Sequence, residues 1–335
     1  MTRRSALGLL LLAACGGRVA PAPAVPRRTG LRIEPLTDLV PAAGLSWLLD
    51  LRPVALMMTD ASRQAMAEVV AEDRFAAFAS RHGSIDPRAA KELVVASYPE
   101  ATLTMAEVEL DPTKVETAFA ARALSVDGRA LEGDGDVVRT WGSVAGGSEP
   151  AREQIAIVGR EALILERGHL GPLRAALAFA EGKLHRALPA LHAEPLKRAA
   201  ELLGDAPARA FAPGPFEGEW AAGLGGLLRA STAAAVSAWP LGSASSGTAS
   251  LSFRVVLLGA WGADATAAAD RLRAAFDVLA NDPLGKLMGV DHPVRDAHVV
   301  GGADALMLEV GLDALGLARG LHAATAGTVA EIMRF

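Results

Sequence analysis

From about residue 40 onward, the spacing of apolar residues keeps switching between two and about 3.6. A period of two buries one face of a strand, and a period of 3.6 buries one stripe of a helix. Such a chain mixes strands with helices throughout, and short apolar runs separated by turn residues favour antiparallel pairing. The expected fold class is α+β, with antiparallel-rich sheets covered by helices.

Ser46–Arg52 reads as a strand stopped by Pro53, and Asp60–His82 as helix broken near Glu72-Asp73 and ended by Gly83. Leu93–Tyr98 and Thr102–Leu110 read as strands around Pro99, with Glu107 and Glu109 on the solvent side of the second. Pro112 suits the first turn of a helix to Arg122. Asp136–Val144 is a strand, Gln154–Val158 and Ala162–Glu166 a hairpin, and Leu170–Leu184 a helix. The rhythm then repeats. Ala208–Ala212 suggests a strand, Glu219–Arg229 a helix, and Thr232–Trp239 with Thr248–Trp261 a strand pair. Asp264 is placed to cap a helix with Ala268, Leu272, Ala275, Phe276 and Leu279 on one stripe. Ala297–Val300 and Ala305–Val310 form a hairpin, with a last helix from Asp313.

Letters repeat as well as rhythm. Glu166-Arg167-Gly168 matches Glu309-Val310-Gly311, and Ser97-Tyr98-Pro99 matches Ala238-Trp239-Pro240, at an offset of about 140. The expectation is an internal duplication, with halves at 36–183 and 184–335 that share one sheet or face each other across a cleft.

The N-terminus carries an address. Met1-Thr2-Arg3-Arg4-Ser5-Ala6 is basic, Leu7 to Leu12 is apolar, and Ala13-Ala14 is small, the build of an export signal. The apolar run is far short of the ~20 residues a membrane-spanning helix needs. Leu12-Ala13-Ala14-Cys15 resembles the lipobox of bacterial lipoproteins. The resemblance implies cleavage of residues 1–14, acylation of Cys15 (a palmitate-type modification) and a membrane anchor made of lipid. Two acyl chains are what stable attachment requires. Thr2-Arg3-Arg4-Ser5-Ala6-Leu7 also resembles a twin-arginine export motif, with Ala6 where that family has Phe. Gly16 rather than Asp follows Cys15, which by resemblance points to the outer membrane, facing the periplasm.

Residues 15–35, with Pro21, Pro23 and Pro26, read as an extended tether. Cleavage removes two arginines and no acid, taking the net charge from −5 to −7. This balance disfavours nucleic acid as a partner, because phosphate neutralisation needs clustered Lys and Arg. Cys15 is the sole cysteine, so disulfide frameworks and multi-thiolate metal sites are excluded.

Catalytic signatures are sparse. Gly142-Ser143-Val144-Ala145-Gly146 puts its serine one place early for a nucleophile elbow, and no phosphate loop or dinucleotide fingerprint is complete. His82, His169, His185, His192, His292, His298 and His322 show no metal-ligand spacing, and surface or capping duty is expected of them. Glu132-Gly133-Asp134-Gly135-Asp136 has the oxygen ligands of a calcium loop but reads better as a turn. Glu166 and Glu309 are the weak candidates for a ligand-binding or acid–base pair, since duplication gives them matching positions. The five tryptophans read as core, and Gly242–Gly247 as a flexible connection. The functional expectation is therefore a lipid-anchored binding module, of a small molecule or an envelope protein, without cofactor, metal or catalysis of its own. The alternatives are an envelope hydrolase with dispersed residues and a structural part of an envelope complex.

Overall fold

The computed structural model describes residues 31–58, 60–146, 149–168, 171–184, 187–241 and 250–322. Leu12, Ala13, Ala14, Cys15, His169, His185 and the Gly242–Gly247 connection lie outside the described residues. Twelve strands form one sheet: β1 (Trp47–Leu51), β2 (Glu92–Tyr98), β3 (Ala101–Glu107), β4 (Ala123–Glu132), β5 (Val137–Val144), β6 (Ala151–Val158), β7 (Ala162–Gly168), β8 (Ala208–Pro213), β9 (Ser231–Leu241), β10 (Ser250–Gly259), β11 (Arg295–Gly301) and β12 (Ala305–Asp313). Their order is β11-β12-β10-β9-β8-β1-β2-β3-β7-β6-β5-β4, and every pairing is antiparallel. The fold is α+β, and strands from both expected halves belong to one continuous sheet.

The β1·β8 pair is the hinge of the topology. Outward from it, one arm runs β1-β2-β3-β7-β6 and the other β8-β9-β10-β12-β11. The order of connections is the same in both arms. The first arm adds β5 and β4 at its end, an extension that ends in an exposed edge strand.

Helices cover both faces. The upper face carries Leu48, Val94, Leu103, Ile164, Phe211 and Val256. Over it lie α4 (Pro172–Ala180), through Leu173 and Leu177, and α5 (Leu196–Leu203), through Leu196 and Leu203. The lower face has separate cores at its flanks. In the first arm, α2 (Glu72–Arg81) and α3 (Pro112–Arg122) cover Ile155, Leu163 and Leu165. In the second, α6 (Ala265–Asn281) covers Leu257, Leu306 and Leu308. A helix at 314–322, α7, packs Ala314 and Ala318 against Ala65 of α1 (Asp60–Val69) and against Leu251.

Local chemistry explains these elements. Asp111 accepts the Thr113 N–H at 3.0 Å, Pro112 fills the first turn of α3, and Val115 and Phe119, four apart, are buried. At its far end, α2 stops where Gly83 takes φ +73°. The expected cap at Asp264 is absent: its side chain makes no capping bond to α6. The expected helix over Glu219–Arg229 is broken: a short helix ends at Ala221, and the turns over Leu224–Ala230 are kinked where Gly225 and Gly226 take φ of +68° and +83°. Glu107, assigned to the solvent side of its strand, is buried on the upper face, where Lys91 pairs with it.

Candidate functional site

Following the registers outward from the central pair gives two rows of side chains on the upper face. One is Leu48, Ala96, Leu103, Glu166 and Gln154; the other is Arg209, Ser237, Arg254, Glu309 and His298. Each crosses its five strands in the same order. The two glutamates therefore occupy the same sheet position in the two arms. Two residues further along the strands, on the same face, Tyr98 and Gly168 correspond to Trp239 and Gly311. Both glycines are required by space: a Cβ on Gly168, at φ +106°, would strike the Glu100 carbonyl, and one on Gly311 would lie 2.8 Å from Arg295 Cβ.

The two positions are finished differently. Glu166 is completely buried. Its carboxylate accepts the N–H groups of Gly171 (3.2 Å) and Leu173 (2.9 Å) at the start of α4, and the Gln154 amide. Arg139 donates in turn to Gln154 Oε1 (3.3 Å) and to Glu132 (2.7 Å), and stacks over Trp141. A carboxylate at a helix N-terminus satisfies orphan N–H groups and meets the positive end of the dipole. Glu166 is thus a helix cap sealed beneath its helix.

Glu309 is open. Arg254 holds its Oε1 through Nε and Nη2, both at 2.6 Å, and donates its Nη1 to the Leu202 carbonyl at the end of α5. The Arg254 guanidinium also stacks over Trp239, 5.4 Å from the ring centroid. The Glu309 side chain is 38% exposed, and His298 beside it is exposed too. The helix that follows β12 turns to the lower face, whereas the helix that follows β7 caps the upper one. This difference leaves Trp239, Arg254, Glu309 and His298 as a half-exposed polar site, with Val300 (42% exposed) and half-buried Met307 beside it.

The acid–base pairing of Glu166 with Glu309 does not form. They are separated by seven strand spacings, roughly 34 Å at about 4.8 Å each. Their symmetry is real in the sheet but sets them apart. Among the described residues, no three His, Cys, Asp or Glu side chains come together as a metal site. Gly133–Gly135 forms a tight turn between β4 and β5, with Glu132 committed to Arg139. Of the tryptophans only Trp261 is buried; Trp47 and Trp220 are 36% and 72% exposed, a correction to their expected place in the core. His82 ends α2, buried against the Phe78 ring, and His192 bonds Asp38 at 2.8 Å. Among the described residues, a small apolar space of about 20 Å³ lies between Phe78, Ile85, Leu93 and Leu165, room for one water at most.

The upper face also carries a carboxylate under strain. Glu92 accepts the Leu36 N–H at 2.7 Å, yet burial, helped by the neighbouring charges of Asp50 and Glu107, raises its pKa above the ordinary glutamate value. The folded state then binds a proton more tightly than the unfolded one, so this group loses stability as pH rises through its folded pKa. Glu92→Gln keeps an acceptor for Leu36 and removes the charge. It is expected to be at least as stable as the parent at pH 7, with the advantage shrinking as pH falls toward 4.5. Urea melts of both chains across that range check it.

Comparison with known protein families, with curated proteins and with solved structures found no match for this chain. Sequence reasoning had singled out Glu309 but not Arg254, Trp239 and His298 as its neighbours. The signal for them was the register of β9, β10 and β11, which only pairing supplies.

Proposed function

We propose that this chain is a lipid-anchored protein of the bacterial cell envelope, on the outer membrane facing the periplasm, whose body is a non-catalytic binding module. The observation that carries the reading is Leu12-Ala13-Ala14-Cys15, set behind a basic and apolar leader and ahead of a proline-rich tether. Among the described residues no helix is long and apolar enough to cross a membrane, so acyl chains on Cys15 are the anchor in this reading. Binding rather than catalysis is supported by the Glu309 site, whose charged groups are already paired with each other and whose apolar neighbours remain exposed. We further propose that the two arms descend from one duplicated unit. Support comes from the shared strand order, the matched glutamate rows and the paired glycines at 168 and 311.

The test is the mass of the mature N-terminal peptide together with fractionation. The expected chain begins at Cys15, carries two or three acyl groups, and follows the outer-membrane fraction. Cys15→Ser is expected to move essentially all of the protein out of the membrane pellet. An unmodified Cys15, or a variant that still sediments with membranes, defeats the lipid-anchor reading.

A further inference from the structure

We infer that the open Glu309 site takes the first turn of an amphipathic helix from a partner protein. The inference rests on the binding-module reading and names the kind of partner.

The first arm supplies the precedent. At the equivalent sheet position, Glu166 receives the N–H groups of Gly171 and Leu173, and the helix they begin lays Leu173 and Leu177 on the upper face beside Ile164. In the second arm the glutamate, the glycine and an aromatic side chain are all kept, at Glu309, Gly311 and Trp239. The chain's own helix is not: α7 packs below the sheet against Ala65 and Leu251. Arg254 takes one oxygen of Glu309, and among the described residues Oε2 has no hydrogen bond. The position matching Ile164 is Met307, half-buried, and Val300 across from it is 42% exposed. A helix that starts over Glu309 therefore finds a carboxylate for its orphan N–H groups and an apolar seat for its buried stripe.

Charge completes the fit. Arg295 is exposed opposite Gly311 and His298 opposite Glu309, with one acid, Asp296, exposed between them on the strand. Natural helices favour Asp or Glu in the first turn, where these side chains would meet the two basic groups. The partner segment is thus a helix with acids in its first turn and an apolar stripe behind them. The edge strand itself is a poorer dock, because the register slips between Arg295 and His298 and bends the pairing edge.

The experiment places a photoreactive amino acid at Val300 of the full-length chain in its own cells, with the same probe at exposed Leu124 on the opposite edge as control. A protein adduct is expected from Val300 and not from Leu124, with the linked residue in a helix near its acidic first turn. Glu309→Gln should lower that adduct on the order of tenfold, the effect of losing a charged hydrogen-bond acceptor. Because Glu309→Gln also unpairs Arg254, a second variant, Val300→Arg with the probe moved to exposed Val294, blocks the seat while leaving Glu309, Arg254 and His298 in place, and should abolish the adduct that the Val294 probe alone gives. No protein adduct, one shared with Leu124, one joined to an extended segment, or one that survives both variants overturns the inference. Acylation of Cys15 is read from the same cells by mass. Acylated protein without an adduct defeats this site alone, and an adduct on unacylated protein defeats the anchor alone.

Discussion

Replacing Glu166 with alanine is expected to remove about 3–5 kcal/mol of stability, enough to unfold a domain of ordinary margin. The carboxylate is completely buried and accepts three donors: the Gly171 and Leu173 N–H groups and the Gln154 amide. Truncation strands the Leu173 N–H and the Gln154 amide away from water while the Gly171 N–H stays near solvent, and each buried unsatisfied donor costs about 1–3 kcal/mol. The loss spreads further, because Gln154 also receives Arg139 and α4 rests its first turn on the glutamate. Glu166→Gln keeps one acceptor and places an amide where a carboxylate met N–H groups, so it should cost less, about 1–3 kcal/mol. The counterpart Glu309→Ala should cost under about 1 kcal/mol, since that pair is substantially exposed and screened. Chemical denaturation of the three variants reads the contrast. Equal losses at 166 and 309 would refute the assignment of one as a sealed cap and the other as an open site.

That contrast also marks where the sequence stops being legible. The strands around Glu166 and Glu309 were readable as short apolar runs bounded by turns, and the hairpins because Gly159 and Gly301-Gly302 sit between them. The α+β class follows from that pattern. Strand β4 was not readable: its solvent-facing Leu124, Val126 and Leu131 obscure any alternation, and register slips near Ser125 and Asp127 break its period. Helix α5 was hidden because only eight residues separate Pro195 from Gly204, although Leu196, Ala199 and Leu203 do form a stripe. The site failed for a different reason. Matching positions in a repeated strand rhythm were read as convergence, but the two arms run outward from β1·β8 and carry matching residues to opposite sides of that pair. Periodicity reports which face a residue takes; strand order decides how far apart two such residues lie.

Strand order also identifies the contact on which the joined sheet depends. Among the described residues, only β1 and β8 join the two arms by strand pairing, over Leu48–Leu51 and Ala208–Phe211. Across that pair, Asp50 accepts Arg209 Nε (2.9 Å) and Nη2 (2.6 Å), and Arg209 also reaches the Gly204 carbonyl that ends α5. Asp50 is 3% exposed and the Arg209 side chain 18%. Removing one partner of such a pair leaves the other charge buried without compensation, which typically costs about 3–5 kcal/mol. Asp50→Ala is expected to fall in that range and to loosen the β1·β8 junction first. Hydrogen exchange should speed up at the Leu48 and Phe211 amides, which face each other across the junction, before it does in the flanking cores of either arm. Replacing both charges together, Asp50→Leu with Arg209→Met, should recover most of the loss, because the desolvation cost of two ions disappears with their attraction. A double variant no more stable than Asp50→Ala alone would mean that Arg209 matters chiefly for closing the end of α5, and the single variant Arg209→Met would then carry the full loss.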